Sequence, residues 1–136
     1  MARTNEERIR SGNDALIGKG NLDVVDDIFA TDYVVHAGGK EYRGHAFIRR
    51  FIGQLRKAIP DIQVVKVAFH IREGDTIAWQ RTLRGTHQGE MMGILPSGQK
   101  VEWRDMVISR FDGNKIAEEW AVSELAGELL SKPPGA

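Results

Sequence analysis

Three stretches hold the residues able to do chemistry: Thr82-Leu-Arg-Gly-Thr-His-Gln-Gly-Glu90, Trp103-Arg-Asp105 and Ile116-Ala-Glu-Glu-Trp120. They bring a histidine, several acids and two tryptophans onto what read as strands of one sheet. Acids and a histidine among aromatics point to a small-molecule cavity in which protons are transferred. Asp105 is the candidate base. An acid on an apolar strand face costs free energy unless it is paired, hydrogen-bonded or protonated. Burial and a neighbouring carboxylate both push it towards the neutral form, and a carboxyl tuned in that way exchanges protons near neutral pH. Glu118 or Glu119 is the second acid. His87, at a strand end between Gly85 and Gly89, would donate to a developing oxyanion or shuttle a proton. The two glycines would let a ligand come close to the backbone there. Plainer readings stand beside these: Asp105 ion-paired to Arg81 or Arg104 in a structural network, and His87 as a turn residue bonded to a local carbonyl.

The candidate substrate-binding residues are His36, Phe51, Trp79, Arg81, Met92, Trp103 and Trp120. Three tryptophans on adjacent strands would line a cavity for a planar ligand, although tryptophans also serve simply as core. Met92 sits with Met91 and Leu95 on a loop, where apolar residues would form a flexible lid or an oligomer contact. His36 runs into Gly38-Gly39 and would equally cap that turn. His36, His87 and Asp105 lack the short spacing of a metal site, so no metal ligands are expected. Neither a phosphate loop nor a nucleophile elbow is present.

The elements that must position these groups show in the hydrophobic period. Thr4-Asn-Glu-Glu7 has capping-box spacing and opens a helix carrying Ile9, Leu16 and Ile17. A short helix with Leu22, Val25, Ile28 and Phe29 follows, then a strand at Tyr33-Val-Val-His36. Phe47, Ile48, Phe51, Ile52, Leu55 and Ile59 repeat with helical period before Pro60. Beyond it the period becomes two, with Val65, Val67, Phe69 and Ile71 on one side. On 99–111 the apolar face carries Val101, Trp103, Asp105, Val107 and Phe111; on 76–87 it carries Ile77, Trp79, Arg81, Leu83 and His87. A two-residue turn at Asp112-Gly113 would put Glu118 and Trp120 on the inner face, with Trp120 opposite Asp105. A longer turn that includes Asn114 would bring in Glu119 and Ala121 instead. Helices followed by long antiparallel strands read as α+β, with a curved sheet and helices over its concave face enclosing a cone-shaped cavity.

The chain has 136 residues, equal numbers of basic and acidic side chains (19 each) and no cysteine. It is expected to form a single domain over 1–136 with a flexible tail at 131–136. Charge balance argues against a nucleic-acid partner, and the lack of a long apolar run argues against a membrane span. A cytoplasmic protein is the default expectation.

Phe29-Ala-Thr-Asp-Tyr-Val-Val-His36, Ala58-Ile-Pro-Asp61, Leu83-Arg-Gly-Thr-His-Gln-Gly-Glu90, Gly93-Ile-Leu-Pro-Ser-Gly98 and Arg110-Phe-Asp-Gly-Asn-Lys-Ile-Ala-Glu-Glu-Trp120 carry a resemblance. The chain resembles the SnoaL-like polyketide cyclases, or ester cyclases, of the nuclear transport factor 2-like (cystatin-like) superfamily. The resemblance implies a cone-like α+β fold, a homodimer formed through the outer sheet face, and a hydrophobic small-molecule substrate. It also implies a cofactor-free aldol cyclisation, in which a carboxylate takes a proton alpha to a carbonyl. Those cyclases place their acid/base aspartate just after the segment matching Glu118-Glu-Trp120, where this chain has Ala121. Asp105 or one of the glutamates would then act as base. A lyase, isomerase or cyclase is expected; a non-catalytic binding module and an epoxide or ester hydrolase are the alternatives.

Overall fold

The computed structural model describes residues 3–132. Most of the expected flexible tail, residues 133–136, lies outside the described residues. Helix α1 (Asn5–Asn13) begins with the capping box: Thr4 accepts from the Glu7 amide at 3.1 Å, and the Glu7 carboxylate accepts from the Thr4 amide at 3.3 Å. It continues as a π-helical turn at Asp14–Gly18, which buries both Leu16 and Ile17 and ends at the expected glycine. Arg56 donates to the carbonyls of Ile17 and Gly18 at the end of that turn. A 3-10 turn at Leu22–Val24, capped by Asn21, leads into α2 (Val25–Ile28). Helix α3 (Gly44–Ala58) buries Ile48, Ile52, Leu55 and Ala58, and α4 (Leu125–Leu130) buries Leu125 and Leu129.

Six strands form one sheet: β1 (Phe29–Ala37), β2 (Lys40–Arg43), β3 (Gln63–Glu73), β4 (Thr76–Thr86), β5 (Lys100–Asp112) and β6 (Lys115–Ser123), in the order β2-β1-β6-β5-β4-β3. The pairings are antiparallel except β1 with β6, which is parallel. The architecture is α+β, with the sheet curving around the helices and the apolar residues of both forming one core. Strand β2 is not apparent in the sequence reading. Gly38 and Gly39 both take positive φ (60° and 75°), so they make a tight hairpin turn that returns β2 along β1.

Strand β5 alternates strictly, with Val101, Trp103, Asp105, Val107, Ser109 and Phe111 buried between exposed or half-buried neighbours. Elsewhere, bulges overrule the alternation. In β3, irregularities between Val64 and Lys66 and between Phe69 and Ile71 leave Val65 and Ile71 exposed, while Val64, Val67 and Phe69 pack on the core. In the β5–β6 hairpin Asp112 pairs with Lys115, Phe111 with Ile116 and Arg110 with Glu118, so Ala117 is the extra residue of a bulge. Ile116 and Ala117 are both buried, and from there the parity is reversed. Asp105 therefore lies opposite Ser123, not Trp120. Glu119 and Ala121 face inward. Glu118 and Trp120 do not, which corrects the expectation that a two-residue turn at Asp112-Gly113 would put them on the inner face.

Candidate functional site

A cavity of about 770 Å³ lies between the inner face of the sheet and the helices. This is within the range of roughly 300–1,000 Å³ typical of small-molecule sites. Its walls are largely apolar: Ile9, Leu16 and Ile17 from the first helical segment, Ile48, Ile52 and Leu55 from α3, and Trp79, Trp103 and Val107 from the sheet. Two acids break this surface, Asp105 and Glu119. Glu119 faces Ser109, four residues along β5 from Asp105, so the backbone positions that carry the two carboxyls are about 13 Å apart along the strand.

Asp105 is buried, and Arg81 on the adjacent strand holds one of its oxygens, Nε donating to Oδ2 at 2.8 Å. Arg81 is itself fixed. Its Nη1 donates to Asn13 Oδ1 at 2.8 Å, Asn13 Nδ2 donates to the Ile9 carbonyl at 2.8 Å, and the guanidinium lies 5.6 Å from the Trp79 ring centre. The other oxygen of Asp105, Oδ1, is buried and has no hydrogen-bond partner. A buried acceptor left without a donor is rare and is a site where a ligand hydrogen can be received.

Glu119 has a different environment. Tyr33 donates to its Oε1 at 2.6 Å and Ser109 to its Oε2 at 2.5 Å, while the Trp79 indole donates to the Ser109 hydroxyl at 2.8 Å. Burial raises the carboxyl above its ordinary range, outweighing the lowering effects of the Ser109 and Tyr33 hydrogen bonds and of the Arg81 charge. Burial, followed by the charge of Glu119, pushes the Tyr33 phenol well above its ordinary value.

Trp79, Arg81, Trp103, Phe51 and Met92 all line the cavity. Phe51 and Met92 are at its margin, with Met92 half exposed on the 88–99 loop in a left-handed conformation (φ 52°). Three expected site residues belong to the outer face instead. Glu118 accepts from His36 Nε2 at 2.8 Å and from Arg110 Nε at 3.2 Å, and the His36 ring stacks on Trp120 with centroids 5.3 Å apart. The hydrogen bond from His36 is the first cause of a lowered carboxyl at Glu118. The reversed parity after Ala117 accounts for both Glu118 and Trp120.

His87 is fully buried, but it does not line the cavity, and neither ring nitrogen has a hydrogen-bond partner. It follows β4 six residues beyond Arg81, about 20 Å along the strand direction from the Arg81–Asp105 pair. The glycines beside it serve the protein's own packing. A Cβ on Gly85 would come within 2.2 Å of Ile59, and one on Gly89 within 3.1 Å of Ala58, so the end of α3 takes the space reserved in the sequence reading for a ligand. The residues overlooked in the sequence are Tyr33, Ser109 and Asn13. Alternation along Tyr33-Val-Val-His36, with Val35 inward, is the signal that points Tyr33 into the cavity. Nothing local marks Asn13, whose partner Arg81 is 68 positions away.

No functionally curated protein matches the sequence. AclR of Streptomyces galilaeus, a proposed hydroxylase, is 28% identical over 96% of this chain and 100% of its own, with a TM-score of 0.72. IdmH of Streptomyces antibioticus, a proposed polyketide cyclase, is 23% identical over 96% and 98%, with a TM-score of 0.73. A proposed polyketide cyclase of Pseudomonas putida superposes with a TM-score of 0.81 at 15% identity over 97% and 99%. These last two likenesses establish the fold. The family model described as SnoaL-like polyketide cyclase matches residues 7–130, and the chain belongs to that family.

Proposed function

We propose that the cavity catalyses proton abstraction alpha to a carbonyl of a hydrophobic substrate, with Asp105 as base, and that the enolate so formed closes an aldol ring. The unpartnered Oδ1 of Asp105 carries this reading. It is a carboxylate oxygen in a largely apolar chamber, with its twin held by Arg81 so that the lone pairs point in a fixed direction. The proton moves to Oδ1, the alpha carbon attacks a second carbonyl carbon of the same molecule, and the alkoxide regains a proton. The sequence is redox-neutral, so it requires no electron carrier. Glu119, pushed towards its neutral form at a position four residues further along the sheet, would serve another part of the substrate as an acid.

The reading extends to assembly. The outer sheet face exposes Met106, Ile108, Trp120 and Val122, an apolar surface that a second copy of the chain would cover.

Ala121 favours a second reading. It lines the cavity where the resemblance placed an aspartate, so the chamber would bind a planar apolar molecule without turning it over. Hydrogen–deuterium exchange at the alpha carbon of α-tetralone in heavy water separates the two. The enzyme reading expects the protein to accelerate exchange above buffer. Binding of α-tetralone with exchange at the buffer rate would leave the carrier reading.

A further inference from the structure

We infer that Tyr33 is the oxygen-recognising group of the cavity, donating a hydrogen bond to a carbonyl oxygen of the bound molecule when Glu119 carries a proton. The inference rests on the reading that the cavity takes a carbonyl compound. It follows from counting hydrogens. The Trp79 indole can only donate, and it does so to Ser109 Oγ. Ser109 is fully buried, and its only other side-chain partner among the described residues is Glu119, so its hydroxyl hydrogen goes to Glu119 Oε2. A proton on Glu119 therefore sits on Oε1, which lies 2.6 Å from the Tyr33 oxygen.

The two protonation states then differ at the phenol. Ionised Glu119 accepts the Tyr33 hydrogen and keeps it. Protonated Glu119 donates to the Tyr33 oxygen instead and releases the phenolic hydrogen, which has no other acceptor among the described residues. Tyr33 lines the cavity, so a ligand oxygen there takes it. Burial of both groups supports the neutral pair: Glu119 is raised and Tyr33 remains a phenol. The charged or titratable groups around the cavity are Arg81 from β4, Asp105 from β5, Arg8 from α1 and Tyr42 from β2. Arg81 opposes protonation of Glu119, and the cavity-lining residues of α3 and α4 are all uncharged.

Fluorenone and its hydrocarbon isostere fluorene provide the test, read by affinity and by the infrared carbonyl stretch of bound fluorenone. In the wild type that stretch moves to lower frequency at acidic pH, and the shift fades as the pH rises. Tyr33→Phe abolishes the shift and weakens fluorenone roughly two- to ten-fold, the range of one neutral hydrogen bond, while fluorene binds as before. Glu119→Gln gives the more discriminating result. Ser109 still needs an acceptor, so the amide oxygen turns towards it and the amide N–H group faces Tyr33, imitating the protonated acid. The carbonyl shift should then persist at every pH. Binding of both probes with one carbonyl frequency in wild type and Tyr33→Phe would overturn the inference and leave the role of Asp105 untouched. A shift that Glu119→Gln abolishes would also overturn it. If neither probe binds, the cavity reading falls and the inference falls with it.

Discussion

Glu119 is buried in the folded chain and meets water in the unfolded one, so the folded state binds its proton more tightly. A carboxyl raised in this way contributes stability that is full below its unfolded value and is lost as pH rises through the folded value. Glu119→Gln should therefore gain on the wild type as pH climbs above 4.5, the group's ordinary value, and thermal unfolding across a pH series will show whether the gap opens in that direction. Glu118 has the opposite sign. Its carboxyl is lowered by His36 and Arg110, so its contribution is present above the ordinary carboxylate range and lost as pH falls through its lowered value. Arg81 gives a third expectation. Arg81→Met leaves the buried Asp105 carboxylate without its counter-ion and should destabilise by about 3 kcal/mol, measured by urea unfolding. The sequence made the inner placement of Asp105, Trp79 and Trp103 legible, because each sits on a strand face whose alternation is unbroken. It could not show Asn13 or Ser109 as site residues. Their meaning arises from partners on other elements, brought together only by the fold.

At the level of elements, two kinds of signal behaved differently. Capping, helical periodicity and turn glycines are local, and α1, α3 and the β5–β6 turn follow them. Bulges depend on how neighbouring strands pack, and a bulge inverts every face beyond it. That is why Ala117, unremarkable as a residue, decides which glutamate enters the cavity. The His87 segment shows the same limit: Gly85 and Gly89 read as space for a ligand, but the space belongs to Ile59 and Ala58. Gly85→Ala drives a methyl group into a fully buried Ile59 side chain. It should lower stability by about 1–3 kcal/mol, the range for overpacking, without changing the pH dependence of cavity ligand binding. Thermal melts of the variant alongside fluorenone titration will separate the two effects.

For the whole molecule, the inner and outer faces of one sheet carry different work. Inside, a mainly apolar chamber holds two carboxyls in contrasting environments, one oriented by a cation and one buried among neutral donors. Outside, Met106, Ile108, Trp120 and Val122 form apolar surface around the His36–Glu118 pair. Ile108→Glu, at a position outside the cavity lining, should drive the proposed dimer towards monomer in sedimentation or gel filtration and leave ligand binding in the cavity intact. An aromatic ligand should quench Trp103 and Trp79 but not Trp120, so Trp120→Phe should keep the quenching response that Trp103→Phe reduces. The central claim concerns the free oxygen of Asp105, and the direct measurement is the rate of deuterium exchange at the alpha carbon of α-tetralone by wild type and Asp105→Asn. Removing a positioned base should slow the protein-catalysed exchange by about 10²–10⁴-fold, with the melting transition and α-tetralone binding retained. An Asp105→Asn protein that exchanges the proton as fast as the wild type would contradict the account.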